Sequence, residues 1–173
     1  MINEELEFKK IGISLITISD SRNEKTDKSG NFLKKAIEEK GHILTSYDII
    51  SDDKNLIQDT FNNLSSKLEN DVIISSGGTG LTGRDNTIDA VKEISETEIP
   101  GFGELFRYLS YKKIGTSTIQ SRSSAFLINK KYAFCLPGSN SAVQDAWNKI
   151  LFFQLDIRHK PCNFVELIPR LNE

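Results

Sequence analysis

Three short apolar segments, separated by stretches with helical periodicity, limit most strongly how this chain can fold. They span residues 11–19, 43–50 and 71–76. Their β-branched residues and low charge are typical of strands buried on both faces. Between them, apolar residues recur at helical spacing over 32–37 and 56–68, with Gly41 as a stop signal for the first helix. This alternation predicts βαβ units, and therefore an α/β fold with a mostly parallel sheet covered by helices.

The second half of the chain predicts two more elements. Residues 126–136 are typical of two short strands around Asn129–Lys131, which indicates a hairpin that adds antiparallel strands to the sheet. Apolar residues within 143–155 share one face of a helix, and Trp147 on that face is expected in the core. The preceding pair Ser139–Asn140 supplies two candidate caps for this helix.

The chain is predicted to form one domain over residues 1–173, with 158–173 as a C-terminal tail. No internal repeat or low-complexity segment interrupts the sequence. The tail is apolar without a regular period, and we expect it to lie across a surface or a neighbouring subunit. Its apolar residues Phe164, Leu167 and Ile168 are expected to bury against another subunit.

Charge and hydropathy exclude several classes of protein. The formal net charge of the 173 residues is −2, so the chain lacks the basic excess with which proteins hold nucleic acid. No apolar run approaches the roughly 20 residues of a membrane helix, and the N-terminus is charged. We therefore predict no membrane span and no signal peptide, and expect a cytoplasmic protein.

The cysteines and histidines do not indicate a metal site. Cys135 and Cys162 lie outside any CxxC spacing and are interpreted as small buried hydrophobic residues. His42 and His159 have no other ligand type beside them at metal spacing, so both are assigned to surface structure.

A glycine-rich loop after the third predicted strand carries most of the chemical information. Residues 75–87 read SSGGTGLTGRDNT, with four glycines in seven positions, and lead toward a helix beginning near Thr87. Such a loop lets backbone amides approach an anion closely, and a helix N-terminus favours negative charge. The alternative is a tight turn in which the glycines only satisfy backbone geometry. The number of glycines favours a phosphate-binding loop.

Neither of two well-known nucleotide motifs fits this loop. Gly78–Gly83 formally matches GxGxxG, but the dinucleotide fingerprint follows a first strand, whereas this loop follows the third. A P-loop has Lys and then Ser or Thr after its last glycine, and this chain has Arg84 and Asp85 there.

Asp85 indicates a metal ion, because a carboxylate within a phosphate-binding loop repels its ligand unless a cation lies between them. Mg²⁺ is typically held by one or two carboxylates together with phosphates and waters. Asp52 or Asp53, just after the second strand, is the second candidate at the same edge of the sheet. Alternatively, Asp52 caps the helix that starts nearby.

Four further segments are expected at this edge. They are Ser19–Arg22, Pro100–Glu104, Ser121–Arg122 and Leu136–Asn140. The last of these ends a strand and opens a helix, which makes it a second potential anion site.

Taken together, these residues resemble the MoaB and MogA family of molybdenum cofactor biosynthesis proteins. The matching segments are ITISDSR (16–22), SGGTGLTGRD (76–85), PGFGELFRYLS (100–110), IGTSTIQSR (114–122) and LPGSNSAVQDAW (136–147). They cover almost the whole chain in order, and the closing RHKPCNF is similar to the MoaB branch.

The resemblance implies a three-layer α/β/α domain that assembles as a homotrimer or homohexamer and binds molybdopterin, a pterin dithiolene with a terminal phosphate. Active members adenylylate this phosphate with MgATP, giving adenylyl-molybdopterin and pyrophosphate. The alternative is a catalytically inactive molybdopterin-binding or scaffold protein of the same pathway. The length leaves no room for a fused molybdate-inserting domain, so handover of the product to a separate protein is expected.

The resemblance also assigns site residues. Asp85 and Asp52 would serve catalysis and the metal, although Ser51 replaces the usual proline and leaves the choice between Asp52 and Asp53 open. The segment Arg84–Thr87 resembles the corresponding segment of the active members. The residues that match the pterin and nucleotide pocket are Ser19, Asp20, Ser76, Gly77, Gly78, Thr79, Gly80, Arg84, Glu104, Ser121, Arg122, Pro137, Gly138 and Ser139.

Overall fold

A six-stranded sheet forms the middle layer of the structure, a computed structural model that describes residues 2–171 and 173. The strands are β1 (Gly12–Ile18), β2 (Ile43–Ile50), β3 (Val72–Ser76), β4 (Thr97–Glu98), β5 (Ser124–Ile128) and β6 (Lys131–Leu136). Their order across the sheet is β2-β1-β3-β6-β5-β4. Neighbours from β2 to β6 are parallel, whereas β5 is antiparallel to β6 and to β4. The predicted mostly parallel sheet with an antiparallel hairpin is confirmed.

Helices cover both faces of this sheet. They are α1 (Lys28–Lys40), α2 (Lys54–Ser66), α3 (Thr87–Ile94), α4 (Pro100–Ile114), α5 (Asn140–Ala146), α6 (Phe152–Gln154) and α7 (Phe164–Leu167). A 3₁₀ helix, Gly115–Gln120, follows α4, and a π-helical turn, Trp147–Leu151, joins α5 to α6. A second 3₁₀ helix, Ile168–Arg170, follows α7. Among the described residues, no helix combines the length and the apolar character needed to cross a membrane.

The two faces of the sheet bury separate cores, which explains the continuous apolar pattern of β1. Ile13 and Leu15 pack in one core with residues of α1, α4 and α5. Ile16 and Ile18 pack in the other core with residues of α2 and α3. Because successive side chains of a strand point to opposite faces, both sets have to be apolar. Trp147, 2% exposed, lies in the first core as predicted.

The helix ends follow local capping rules. The carboxylate of Asp27 accepts the Gly30 N–H at the start of α1, and Gly41 ends this helix with φ 96°. Ser139 occupies the N-cap position of α5 but makes no capping hydrogen bond through its side chain. The second predicted helix is shorter than expected: α2 ends at Ser66, and Leu68 is 94% exposed. The assignment of Leu68 to its apolar face was therefore wrong.

The turn of the predicted hairpin consists of two residues, Asn129 and Lys130. Both have positive φ, 48° and 60°. A two-residue turn with positive φ at both positions matches the right-handed twist of the strands that it connects. The turn therefore sets the register in which Ile128 pairs with Lys131.

The C-terminal tail packs largely against its own chain. Val165 is fully buried, and the ring of Phe164 lies 4.8 Å from that of Tyr132 and 5.4 Å from that of Phe134. Ile168 also packs against the same core. Phe164 and Ile168 remain partly exposed, and Leu167 is 43% exposed, so the burial of these three residues against another subunit stays a prediction.

Two further sequence interpretations need correction. Both cysteines are free, but only Cys135 is buried, because Cys162 lies in the exposed part of the tail. His42 is buried beside Phe8, with 5.0 Å between ring centroids, so its assignment to the surface was wrong. Burial, together with the charge of Lys40, lowers the pKa of His42 to about 4.

Candidate functional site at the carboxyl edge of the sheet

A cavity of about 490 Å³ opens where β1, β3 and β6 end. The chain leaves β1 toward β2 on one side and returns to β3 on the other, so the cavity lies at the switch point where open α/β sheets bind ligands. Its volume is within the range of small-molecule sites. Helix α4 and the 3₁₀ helix that follows it form the opposite wall, through residues such as Phe106, Ser110 and Thr118.

Ten of the sixteen residues predicted for the site line this cavity. They are Ser19, Gly77, Gly78, Thr79, Gly80, Asp85, Ser121, Pro137, Gly138 and Ser139. The other six do not line it: Asp20, Asp52, Ser76, Arg84, Glu104 and Arg122. Five of these six adjoin or contact the glycine-rich loop and its flanking residues, whereas within residues 2–171 and 173 Glu104 shows no such contact.

In the glycine loop, residues 77–83, the backbone conformation requires glycine at the first two glycine positions. Gly77 and Gly78 take φ 113° and 64°, which side-chain-bearing residues rarely adopt. Both glycines line the cavity, so the turn geometry and the exposure of the backbone to a ligand coincide. A Cβ on Gly83 would meet nothing within 4 Å, so this glycine has no comparable constraint.

Asp52 and Asp85 lie against successive parts of this loop. A Cβ on Gly78 would stand 3.0 Å from Asp52 Oδ2, and one on Gly80 would stand 2.7 Å from Asp85 Oδ2. Burial, and then the charge of Asp85, raise the pKa of Asp52. Burial would also raise the pKa of Asp85, but bonds from Thr82 and Gly80 and the charge of Arg122 lower it. The two carboxylates therefore repel each other, and a divalent cation would relieve this repulsion.

The structure separates the roles of the two adjacent aspartates. Asp53 Oδ1 accepts the Leu56 N–H at 2.9 Å and caps α2. Asp52 instead lies against Gly78 of the glycine loop, and its Oδ1 accepts the N–H of Asn86, just beyond that loop, at 3.2 Å. The capping role that the sequence left open for Asp52 thus belongs to Asp53, and Asp52 is the residue that joins β2 to the loop.

We expect Asp53→Ala to lower the free energy of unfolding by about 1 kcal/mol, the usual loss for a helix cap. Asp53→Asn is the matched control, because asparagine caps helices as well as aspartate does, and it should retain nearly full stability. Urea denaturation followed by circular dichroism measures both variants. Equal stability of the alanine variant and the parent protein would contradict the capping role.

Arg84 and Asp20 form an exposed ion pair beside the glycine loop. Arg84 Nη2 donates to Asp20 Oδ2, and Asp20 Oδ1 accepts the Asp52 N–H at 3.2 Å. The side chain of Arg84 is 73% exposed. Asp20 therefore links the loop after β1 to both the glycine loop and Asp52, outside the cavity.

Arg122 holds the backbone of the glycine loop and of Asp85 through its guanidinium. Its Nε donates to Gly80 O at 2.7 Å and its Nη2 to Asp85 O at 2.6 Å, while Nη1 pairs with Asp89 at 2.8 Å. Its guanidinium is thus bound to the protein on three sides. These bonds fix the backbone around Gly80 and Asp85, and the predicted contact of Arg122 with a ligand stays a prediction.

Glu104 is exposed and does not line the cavity, so the structure does not bring it together with the other predicted residues, and its binding role stays a prediction. It lies in the first turns of α4, whereas Phe106, Ser110 and Ile114 on another face of this helix line the cavity. Their spacing of four residues was a signal in the sequence, since such residues share a helix face. Arg22 also lines the cavity. The sequence placed its segment, Ser19–Arg22, at this edge but did not assign Arg22 to the pocket.

Fold and site together define an α/β protein with a glycine-lined, hydroxyl-rich cavity at the carboxyl edge of its sheet and two carboxylates against the glycine loop. Residues 14–157 match the protein family described as "Probable molybdopterin binding domain". The chain belongs to this family, the MoaB and MogA family of molybdenum cofactor biosynthesis proteins.

Curated relatives and a solved structure agree with this membership. The chain is 45% identical over 148 residues to "Molybdenum cofactor biosynthesis protein B" of Bacillus cereus, covering 85% of this chain and 88% of the relative. It is 39% identical over 158 residues to the protein of that name in Escherichia coli K12, covering 91% and 93%. A crystal structure of a "Molybdenum cofactor biosynthesis protein B" superposes with a TM-score of 0.85 at 41% identity, covering 95% and 97%.

Proposed function

We propose that this protein acts in molybdenum cofactor biosynthesis by binding molybdopterin and adenylylating it with MgATP. The observation that carries the proposal is the pair Asp52 and Asp85 against a glycine loop that lines a cavity of ligand size. Membership of a molybdopterin-binding family supplies the ligand class. The near-neutral net charge is compatible with this role, because backbone amides and a few side chains can hold a small phosphate ligand.

In the proposed reaction, an oxygen of the terminal phosphate of molybdopterin attacks the α-phosphorus of ATP. A new P–O bond forms there, the bond between the α-phosphorus and the bridging oxygen breaks, and pyrophosphate leaves. No protein nucleophile is needed, so the chain contributes mainly positioning and electrostatic stabilisation.

Asp52 and Asp85 are the residues that would hold Mg²⁺, which when bound neutralises charge on phosphate oxygens. Among the residues that the structure describes, no group of three or more His, Cys, Asp or Glu side chains is arranged for a metal. A site of two carboxylates suits Mg²⁺, which commonly takes its remaining ligands from phosphates and waters.

The decisive experiment is incubation of the purified protein with molybdopterin and MgATP, followed by detection of adenylyl-molybdopterin and pyrophosphate. Formation of both products is expected. A protein that binds molybdopterin but releases no pyrophosphate would instead be the inactive binding or scaffold protein.

We further propose that the chain works as a homotrimer or homohexamer. Exposed apolar side chains on α4, among them Leu105, Tyr108 and Tyr111, support this assembly. Light scattering coupled to size exclusion measures the mass directly, and a monomer would contradict the proposal.

A further inference from the structure

Arg22 is the one cationic side chain that lines the cavity, counting residues 2–171 and 173. It follows β1, and its side chain is 30% exposed. The other charged lining residue is Asp85. A phosphate entering the cavity thus meets one fixed positive charge and one fixed negative charge of the chain.

These two charges lie at opposite ends of the Gly77–Gly80 segment. A Cβ on Gly138 would stand 3.5 Å from Gly77 Cα and 3.7 Å from Arg22 Nη2, so the guanidinium lies beside the first of these glycines. The carboxylate of Asp85 lies against Gly80, the last of them. The cavity therefore has a cationic end and an anionic end.

Two acceptors orient the guanidinium. Arg22 Nη2 donates to Gly138 O at 2.7 Å, and Nη1 donates to Asp27 Oδ1 at 3.4 Å. Arginine has five N–H donors, and the described residues provide no further acceptor for its side chain. Donors therefore remain for a ligand, in the planar fork that matches phosphate oxygens.

Asp27 is itself held rigidly. It is fully buried, and it accepts the Gly30 N–H at 2.9 Å, the Tyr47 hydroxyl at 2.7 Å and the hydroxyl of Thr17. Burial would raise the pKa of Asp27, but these bonds and the charge of Arg22 lower it below its ordinary value. Asp27 is therefore ionised at neutral pH and presents a fixed negative charge to Arg22.

We propose that Arg22 binds the terminal phosphate of molybdopterin and that Asp27 is the positioning residue that orients its guanidinium. This inference rests on the proposed function. ATP carries its own divalent cation and suits the end of the cavity at Asp85. The phosphate monoester of the pterin has no such cation and needs a protein charge, which Arg22 supplies at the other end.

The test compares Arg22→Met with the parent protein by calorimetric titration of three ligands. These are molybdopterin, the same pterin without its phosphate, and MgATP. Loss of a hydrogen-bonded charge should weaken the binding of molybdopterin about 10- to 100-fold. The dephosphorylated pterin and MgATP should bind the variant as they bind the parent. Arg170→Met, which removes an exposed arginine of the tail, is the matched control for net charge and should change nothing.

Two further variants test positioning. Asp27→Asn keeps a capping side chain but removes the charge. The binding of molybdopterin should therefore weaken by a smaller factor than in Arg22→Met, and the binding of the dephosphorylated pterin should not change. If this variant does not fold, Arg22→Lys takes its place, since lysine keeps the charge without the planar fork and should give an intermediate loss.

Several outcomes would overturn the inference. Unchanged molybdopterin binding by Arg22→Met would overturn it while leaving the proposed function intact. Equal losses for both pterins would assign Arg22 to the fold, and a loss confined to MgATP would assign it to the nucleotide. A parent protein that binds no molybdopterin would overturn the proposed function as well.

Discussion

Asp85→Asn is expected to lower the rate of adenylyl-molybdopterin formation roughly 1,000-fold, which corresponds to about 4 kcal/mol of transition-state stabilisation. Asparagine is isosteric, and its oxygen can still accept the bonds from the Thr82 N–H and hydroxyl, 2.9 and 2.7 Å from Oδ2 in the parent protein. The loop should therefore keep its conformation while one of the two proposed metal-binding carboxylates is lost. Pyrophosphate release under saturating substrates measures the rate.

Asp53→Asn is the matched control for this variant, because it makes the same chemical change at an aspartate whose side chain caps α2. It should retain the parent rate. In the absence of metal, Asp85→Asn should still bind molybdopterin, since removal of a negative charge from the protein does not weaken the binding of an anionic ligand. Full activity of Asp85→Asn at low Mg²⁺ would exclude Asp85 from catalysis.

The sequence predicted the sheet more completely than the wall of the cavity. Strands such as β1 and β3 are buried on both faces, so their composition alone identifies them. The glycine loop was also recognisable, because Gly77 and Gly78 need positive φ and Asp85 departs from known phosphate loops. These features are local, and local patterns can be found in a sequence.

The missing parts of the site depend on tertiary contacts. Helical spacing groups Phe106, Ser110 and Ile114 on one face, but the sequence does not say whether that face meets the core, a cavity or solvent. Likewise, Arg22 and Arg122 look alike in sequence. The structure distinguishes them, because Arg122 donates its hydrogen bonds to backbone oxygens of Gly80 and Asp85, whereas Arg22 keeps unused N–H donors at the cavity.

The largest stability effect is expected at the other end of the sheet, for Asp156→Asn. Asp156 is fully buried, receives two side-chain bonds from Arg158 at 2.9 and 2.8 Å, and pairs with Lys40 at 2.7 Å. The side chain of Lys40 is only 6% exposed. Loss of its partner leaves a buried charge uncompensated, so the free energy of unfolding should fall by about 3–5 kcal/mol. Urea denaturation at pH 7 measures this change.

The effect should depend on pH in a defined direction. Burial would raise the pKa of Asp156, but the bonds from Arg158 and Lys40 lower it far below its ordinary value. A carboxyl with a depressed pKa stabilises the fold above its unfolded pKa, about 3.9, and this contribution is lost as the pH falls further. The stability gap between parent and Asp156→Asn should therefore be full at pH 7 and shrink below about pH 4.

A double variant distinguishes an unpaired charge from a simple loss of packing. Lys40 Nζ lies 3.6 Å from the centroid of the Phe152 ring, so methionine at this position would keep the stem in an apolar environment without a charge. Asp156→Asn combined with Lys40→Met should lose less stability than the two single changes added together, by about 1–3 kcal/mol. Asp48→Asn at an exposed position of β2 is the control and should cost less than about 0.5 kcal/mol. Strict additivity would mean that Lys40 tolerates the loss of Asp156, and that the buried pair does not account for the destabilisation.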